Sequence, residues 1–231
     1  EADIIVLNSC VVRQSAEDRV VNKLNTLRWC KKKGNPIIIL TGCMVGPGLD
    51  DLRHRFPHVD LFLPPQAFSE LARFLADRGL APAEIEPEAL LPRPSPSAFI
   101  SIMHGCNSFC SYCVVPYRRG RERSRPIQQI VRQTQQLVER GMKQVVLLGQ
   151  KIDAYGYDLS PQSDLAELLN ELNRIDGLAR IRFLTSHPGC MTDRIIEAMA
   201  SLDRVCKHLS LPFQAGDDDI LRAMRRGYTA A

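Results

Sequence analysis

Short apolar runs alternate with stretches of helical spacing along the whole chain, and this alternation limits the fold more than any other feature. Strands that are each followed by a crossover helix pair in parallel, so the pattern predicts an α/β fold. In the first part, Asp3–Leu7, Pro36–Leu40 and Val59–Leu63 read as strands of an open parallel sheet, and Ala16–Lys32 as a helix. A helix over Ser69–Arg78, with Ser69 at its N-cap, closes this unit. The second part reads as a partial (βα) barrel. Its strands are Ala98–Met103, Val145–Leu148, Ile181–Leu184 and His208–Leu211, with helices at Ile127–Val138, Leu165–Leu172 and Asp193–Leu202. Between the parts, residues 81–97 (APAEIEPEALLPRPSPS) carry five prolines, which remove backbone donors and hold the chain extended as a linker. The expected domains are therefore 1–80 and 98–231. A sheet ending at the fourth strand leaves an open edge, and the chain starts at Glu1 without Met, so further segments are expected beyond both ends.

With 231 residues, 45% hydrophobic and 24% charged, the chain can bury two ordinary cores. No apolar run approaches the roughly 20 residues of a membrane span and no signal-type leader opens the sequence, so a cytoplasmic location without a membrane partner is expected. The formal net charge of +4 is concentrated at Lys31–Lys33 and at Arg118, Arg119, Arg121, Arg123 and Arg125. The lysines read as a solvated surface. The arginines suit nucleic-acid phosphates, or equally serve to hold the neighbouring loop or to pair with Glu122.

Eight cysteines in a chain of this size and without a leader point to metal ligands, reactive thiols or core residues rather than disulfides. Cys106, Cys110 and Cys113 form C-x3-C-x2-C directly after the first strand of the second part, at the sheet edge where parallel folds bind ligands. A structural zinc site wants four protein ligands, and a fourth would have to come from His104 or from far away. Three thiolates on a four-iron cubane leave one iron free for a substrate or cofactor. In the first part Cys10 and Cys43 each follow a strand, so the two thiols should meet at one sheet edge and share a metal. Cys30, Cys190 and Cys206 read as packed or half-buried thiols.

The cysteine spacing, its strand context and Tyr112 beside the last thiol resemble the radical S-adenosylmethionine superfamily. GCNSFCSYCVVPYRRGRERSRP, LLGQKIDAYGYD, RIRFLTSHP and LPFQAGDDDILRAMRRGYT are similar to successive blocks of the methylthiotransferases, and most similar to the MiaB type. NSCVVRQSAEDRV and LTGCMV resemble the N-terminal domain of that family. The resemblance implies a [4Fe-4S] cluster on Cys106, Cys110 and Cys113 with S-adenosyl-L-methionine on its open iron. Tyr112, Gly149, Gln150 and Ser186 are the implied cofactor contacts, and His187 is expected to be a satisfied structural histidine. It further implies a second [4Fe-4S] cluster with Cys10 and Cys43 as two of its three ligands, the third lying before Glu1. The implied reaction generates a 5′-deoxyadenosyl radical, removes hydrogen from C2 of N6-dimethylallyladenosine at tRNA position 37, and delivers a methylthio group there. The implied partners are the tRNA anticodon stem-loop and an electron donor of flavodoxin or ferredoxin type. Two positions depart from the family: Gln150-Lys151 stands for Gln-Asn, and Ala215-Gly216-Asp217 for Ser-Gly-Ser. The alternatives are a sister enzyme acting on threonylcarbamoyladenosine or on an aspartate of ribosomal protein S12. More remote is a non-enzymatic iron–sulfur sensor or RNA-binding protein.

Overall fold

The structure, a computed structural model, describes residues 2–10, 13–46, 49–65, 67–80 and 95–230. They fall into two compact units, one before the proline-rich stretch and one after it, with Tyr117–Arg119 grouping with the first. Residues 81–94 of the expected linker lie outside the described residues.

In the first unit, β1 (Ile4–Ser9), β2 (Ile37–Gly42) and β3 (Leu61–Leu63) form a parallel sheet in chain order. The register runs from Ile4 opposite Ile37 to Ser9 opposite Gly42. The central strand is the most apolar, and its Ile38, Ile39 and Leu40 are fully buried, each worth about 1.5–3 kcal/mol relative to an exposed side chain. The crossover helix α1 (Gln14–Gly34) presents Leu24 and Leu27 to this core. Lys31 continues that line and is half-buried, donating to Asp60 at 2.7 Å and to the Pro36 carbonyl at 2.9 Å. Of the three lysines read as solvated surface, it is therefore a structural one. Cys30 is exposed rather than packed, because it sits about 100° around the helix from Lys31.

Two further helices, α2 (Leu49–Arg55) and α3 (Phe68–Ala76), complete the unit. The first has no fully buried residue and is too short for a readable period. Its Asp50 and Asp51 lie in the first turn and Arg53, His54 and Arg55 in the last, which complements the helix dipole. The predicted N-cap at Ser69 is not formed. Hydrogen bonding of α3 starts at the Ala67 carbonyl, which accepts from Leu71 N–H at 3.1 Å, so Ser69 lies within the first turn.

In the second unit, β4 (Ser97–Ser101), β7 (Gln144–Leu148) and β8 (Arg180–Phe183) pair in parallel. Helix α5 (Ile127–Glu139) crosses from β4 to β7 and α6 (Leu165–Asn173) from β7 to β8. Ile127, Ile130, Thr134 and Leu137 form the buried line of α5, and Thr134 satisfies its hydroxyl on the Ile130 carbonyl at 2.8 Å. Helices α7 (Asp193–Ser201) and α8 (Asp218–Ala223) follow. The expected fourth strand at 208–211 does not form. The chain meets β8 in an isolated bridge, Ile181 to Val205, where Cys206 N–H donates to the Ile181 carbonyl, and beyond β8 Ser186 N–H donates to the Ser210 carbonyl at 3.0 Å without forming a ladder. Cys190 and Cys206 are half-buried, as expected.

The predicted strand 98–103 is broken, and the break positions the cysteines. After Ser101 the chain changes partners: Ile102 donates to the Leu148 carbonyl at 3.0 Å and accepts from Arg125 N–H at 2.8 Å. β5 (Met103–His104) then pairs antiparallel with β6 (Arg123–Ser124). This short ribbon is the neck of a loop that holds all three thiols and the short helix α4 (Val115–Arg119). Among the described residues no helix is long and apolar enough to cross a membrane.

Candidate functional site

The cysteine loop leaves the neck through Gly105, which has a left-handed φ of +73°. A Cβ there would lie 2.0 Å from the Arg121 carbonyl oxygen, so only glycine lets the two sides of the loop approach. Cys106 N–H then donates to the Gly120 carbonyl at 3.1 Å, and Cys113 N–H to the Cys110 carbonyl at 3.0 Å. Glu122 braces the loop from the far side, accepting from Asn107 N–H at 3.0 Å and from Asn107 Nδ2 at 3.2 Å. Its partner is not one of the arginines but Lys151 from beyond β7, at 3.0 Å, both side chains being largely buried. Lys151 also donates to Ser108 Oγ at 3.2 Å. Burial works to lower the Lys151 pKa, but its hydrogen bond to Glu122 and the nearby negative charge hold it above the ordinary lysine range. At least three arginines of the run have partners, Arg119 donating from Nε to Cys43 Sγ at 3.1 Å. Arg121 stacks over Phe109 at 4.6 Å, and Arg125 donates to the Ser101 carbonyl at 2.7 Å and to Gln133 Oε1 at 3.0 Å.

Cys106, Cys110 and Cys113 open onto one cavity of about 170 Å³, with Tyr112, Gln150, Lys151, Ser186, His187 and Arg226 in its walls. Cys106 and Cys110 are buried and Cys113 is half-buried. His104 does not line the cavity. Three polar atoms in the cavity wall residues, Gln150 Oε1, Ser186 Oγ and His187 Nε2, are buried without any hydrogen-bond partner. Buried polar groups are normally satisfied, so three orphans in one cavity lining point to a polar ligand. His187 is thus not the satisfied structural histidine expected. Its Nδ1 accepts from Gly189 N–H at 3.2 Å, which places the proton of the neutral ring on Nε2 as an unused donor. Burial, aided by the charges of Arg226 and Lys151, pushes His187 down to about 4, so the ring is neutral. Behind it, Asp153 is fully buried, and its Oδ2 accepts from His187 N–H at 2.5 Å. Burial raises this carboxyl to about 6.

Gly149 ends β7 but does not line the cavity. A Cβ at this position would lie 2.7 Å from Met103 Cγ, so the glycine is required for packing against the neck. Arg226 was missed by sequence reasoning, although it lies inside the recognised block LPFQAGDDDILRAMRRGYT. It is 7% exposed, and its Nη1 faces Cys110 Sγ at 3.3 Å and Tyr112 Oη at 3.4 Å. Backbone strain gathers in the same place. Phe109, Thr185, Gln214 and Arg225 are non-glycine residues with positive φ, and all lie in the loop, in the cavity wall or beside Arg226. Such conformations persist where the surrounding structure enforces them, and they cluster at functional sites.

The residues fit an iron–sulfur cluster better than a single ion. Among the described residues no three His, Cys, Asp or Glu side chains converge on one metal-ion position, whereas three thiols ringing a shared cavity can each ligate a different iron. In the first unit, Cys10 and Cys43 follow paired strand ends, Ser9 opposite Gly42, with Cys10 exposed and Cys43 buried. The two residues lie at one sheet edge. No third ligand joins them among the described residues. A larger groove of about 520 Å³ between α5 and α6 has neither a thiol nor an orphaned buried polar atom and carries no comparable chemistry.

Comparison with known proteins agrees with this geometry. Residues 100–231 match the profile described as Radical SAM superfamily, and residues 1–64 match that of the uncharacterized protein family UPF0004. A tRNA-2-methylthio-N(6)-dimethylallyladenosine synthase of Dehalococcoides mccartyi (strain ATCC BAA-2266 / KCTC 15142 / 195) is 50% identical over 100% of this chain and 53% of its own length. The synthase of the same name from Roseiflexus sp. (strain RS-1) is 47% identical over 99% of this chain and 49% of its own. The chain thus spans about half the length of these curated relatives. A solved radical S-adenosylmethionine methyltransferase, TsrM, from Kitasatospora setae shares the fold with a TM-score of 0.60 at 14% identity, covering 98% of this chain and 51% of that one. The unit that carries Cys106, Cys110 and Cys113 is also the part that the first profile covers, more than half of all residues, and on this ground the chain belongs to the radical SAM superfamily.

Proposed function

We propose that this chain is the catalytic portion of a methylthiotransferase that modifies C2 of N6-dimethylallyladenosine at tRNA position 37. The observation that carries the reading is one cavity lined by Cys106, Cys110 and Cys113 together with Gln150, Ser186 and His187, the residues that hold three orphaned polar atoms. The names and 47–50% identity of the curated relatives support the substrate class. Cys106, Cys110 and Cys113 would hold a [4Fe-4S] cluster, leaving one iron for S-adenosyl-L-methionine. When bound, the pair supplies a carbon radical that can break an unactivated C–H bond, chemistry beyond any side-chain base.

The protein's own contribution is positional. Gln150, Ser186 and the His187 Nε2–H offer hydrogen bonds to the polar end of the cofactor, while Tyr112 stands beside the last thiol. Gly149 acts indirectly, by letting β7 seat against Met103. The Glu122–Lys151 brace fixes the entry to the thiol loop, and burial of Cys106 and Cys110 limits water at the cluster. Cys10 and Cys43, at the sheet edge of the first unit, are the two thiols this chain would contribute to a second [4Fe-4S] cluster. The anticodon stem-loop as the docking element, a flavodoxin- or ferredoxin-type electron donor and a cytoplasmic location complete the proposal.

The test is iron analysis and electron paramagnetic resonance of the anaerobically reconstituted, reduced chain, with and without S-adenosyl-L-methionine. A [4Fe-4S] signal perturbed by the cofactor is expected. An unperturbed signal, or zinc in place of iron, refutes the radical mechanism. Mass spectrometry of nucleosides from tRNA bearing dimethylallyladenosine, incubated with the loaded protein, tests the substrate.

A further inference from the structure

We infer that Arg226 is a positioning residue that sets the reduction potential of the cluster on Cys106, Cys110 and Cys113, by a charged hydrogen bond to the Cys110 sulfur. The inference rests on the cluster reading above.

Arg226 is a buried cation with no acidic partner. None of the ion pairs among the described residues includes it, yet a guanidinium keeps its charge in proteins, and a buried charge needs a counter-charge. What faces it is a thiol: Nη1 lies 3.3 Å from Cys110 Sγ, with Tyr112 Oη at 3.4 Å from the same nitrogen. The rest of the fork is fastened to neutral oxygens, Nη2 to the Pro212 carbonyl at 3.2 Å and Nε to Tyr228 Oη at 3.3 Å. Tyr228 in turn donates to the Phe213 carbonyl at 2.5 Å and meets the His187 ring edge-on at 5.3 Å.

The backbone that delivers the side chain is equally fixed. Arg225 holds a left-handed φ of 56°, Arg226 N–H donates to the Leu221 carbonyl at 3.0 Å, and the Met224 carbonyl accepts from Ser111 N–H at 3.1 Å. This last bond ties the arginine-bearing turn to the cysteine loop itself. The guanidinium is therefore held in place before any cluster binds, and of these partners the one that would carry negative charge as a ligand is the Cys110 sulfur. One-electron reduction adds negative charge to a cluster and its thiolates. A fixed cation donating to one of those sulfurs favours the reduced form and raises the potential.

The experiment is a dithionite titration of the anaerobically reconstituted chain, followed by electron paramagnetic resonance. Arg226→Gln is expected to make the one-electron reduction at least tenfold less favourable, which moves the midpoint down by about 59 mV. Arg226→Lys keeps the charge but reaches either Cys110 or Tyr112, not both, and is expected to lose at least threefold. Circular dichroism and iron content separate loss of fold from loss of tuning. If Arg226→Gln does not fold or load, Arg226→Lys decides the matter. An unchanged midpoint in a fully loaded variant overturns the inference, even where its melting temperature falls. A parent chain that forms no [4Fe-4S] signal instead refutes the underlying cluster reading, so the two failures are distinguishable.

Discussion

Replacing Asp153 by Asn should stabilise the protein, and only above mildly acidic pH. The carboxyl is fully buried, with Oδ2 accepting from His187 N–H at 2.5 Å and Oδ1 unpartnered. Burial, against the weaker pull of that hydrogen bond, raises it from 3.8 to about 6. A shift of about two units corresponds to about 3 kcal/mol. Its sign follows from proton counting. Between pH 3.8 and about 6 the native state keeps a proton that the unfolded chain has released, so stability falls as pH rises through this window and levels off above it. The Asp153→Asn side chain would keep the shape and the acceptor without the charge. The variant and its parent should therefore be close in stability near pH 4, with the variant ahead by up to about 3 kcal/mol at pH 7.5. Urea unfolding of the metal-free chain at several pH values measures this. Circular dichroism is the suitable probe, because Trp29, the single tryptophan, lies in the first unit and reports on that unit alone. A stability difference independent of pH, or a variant weaker than the parent at pH 7.5, refutes the assignment of burial as the dominant effect.

His187 should show the opposite slope: its ring is held neutral down to about 4, so stability is lost as pH falls from 6.5, and His187→Gln should abolish about 3 kcal/mol of that acid loss in the same titration. Glu122→Gln strands the largely buried Lys151 charge and should cost about 3–5 kcal/mol; a double-mutant cycle with Lys151→Met should recover much of it. Gly149→Ala drives a methyl into Met103 and should cost about 1–3 kcal/mol, with Met103→Ala in the same chain costing less than the sum of the two changes if the clash is real. Cys106→Ser, Cys110→Ser or Cys113→Ser should each abolish stable cluster loading, whereas Cys190→Ser and Cys206→Ser should leave the iron content unchanged.

The parallel sheets were legible because a central strand such as β2 is apolar at nearly every position and each crossover helix carries a buried line. Two elements were misread, and in each a tertiary partner overrode the local pattern. Residues 98–103 look like one strand, but the hydrogen bonds of Ile102 go to both β7 and the chain beside β6, and the strand divides there. Residues 208–211 have strand-like composition, yet their one backbone bond to the chain after β8 is Ser186 N–H to the Ser210 carbonyl, too little to make a ladder. That Cys106, Cys110 and Cys113 share one loop and one cavity followed from their close spacing after a strand. The place of Arg226 at this cavity was not readable, because it depends on meeting Cys110 from 116 residues away. Lys151 looked like a mere departure from a family pattern, and its pairing with Glu122 became visible only in three dimensions. His187 was misjudged because whether a buried ring nitrogen is satisfied depends on the geometry of its neighbours.

The 116-residue separation between Cys110 and Arg226 also bears on the order of events during synthesis. Closing so long a span is entropically unfavourable until the intervening core has formed, and the residues that close it leave the ribosome well after the thiol loop. Until then the thiol loop lacks both its guanidinium and the bond from Ser111 to the Met224 carbonyl. Iron captured early would sit in an open, poorly screened loop, and iron captured late would enter a finished one. Tight retention of metal would thus serve as a report that the span from the thiol loop to Arg226 has been made and folded.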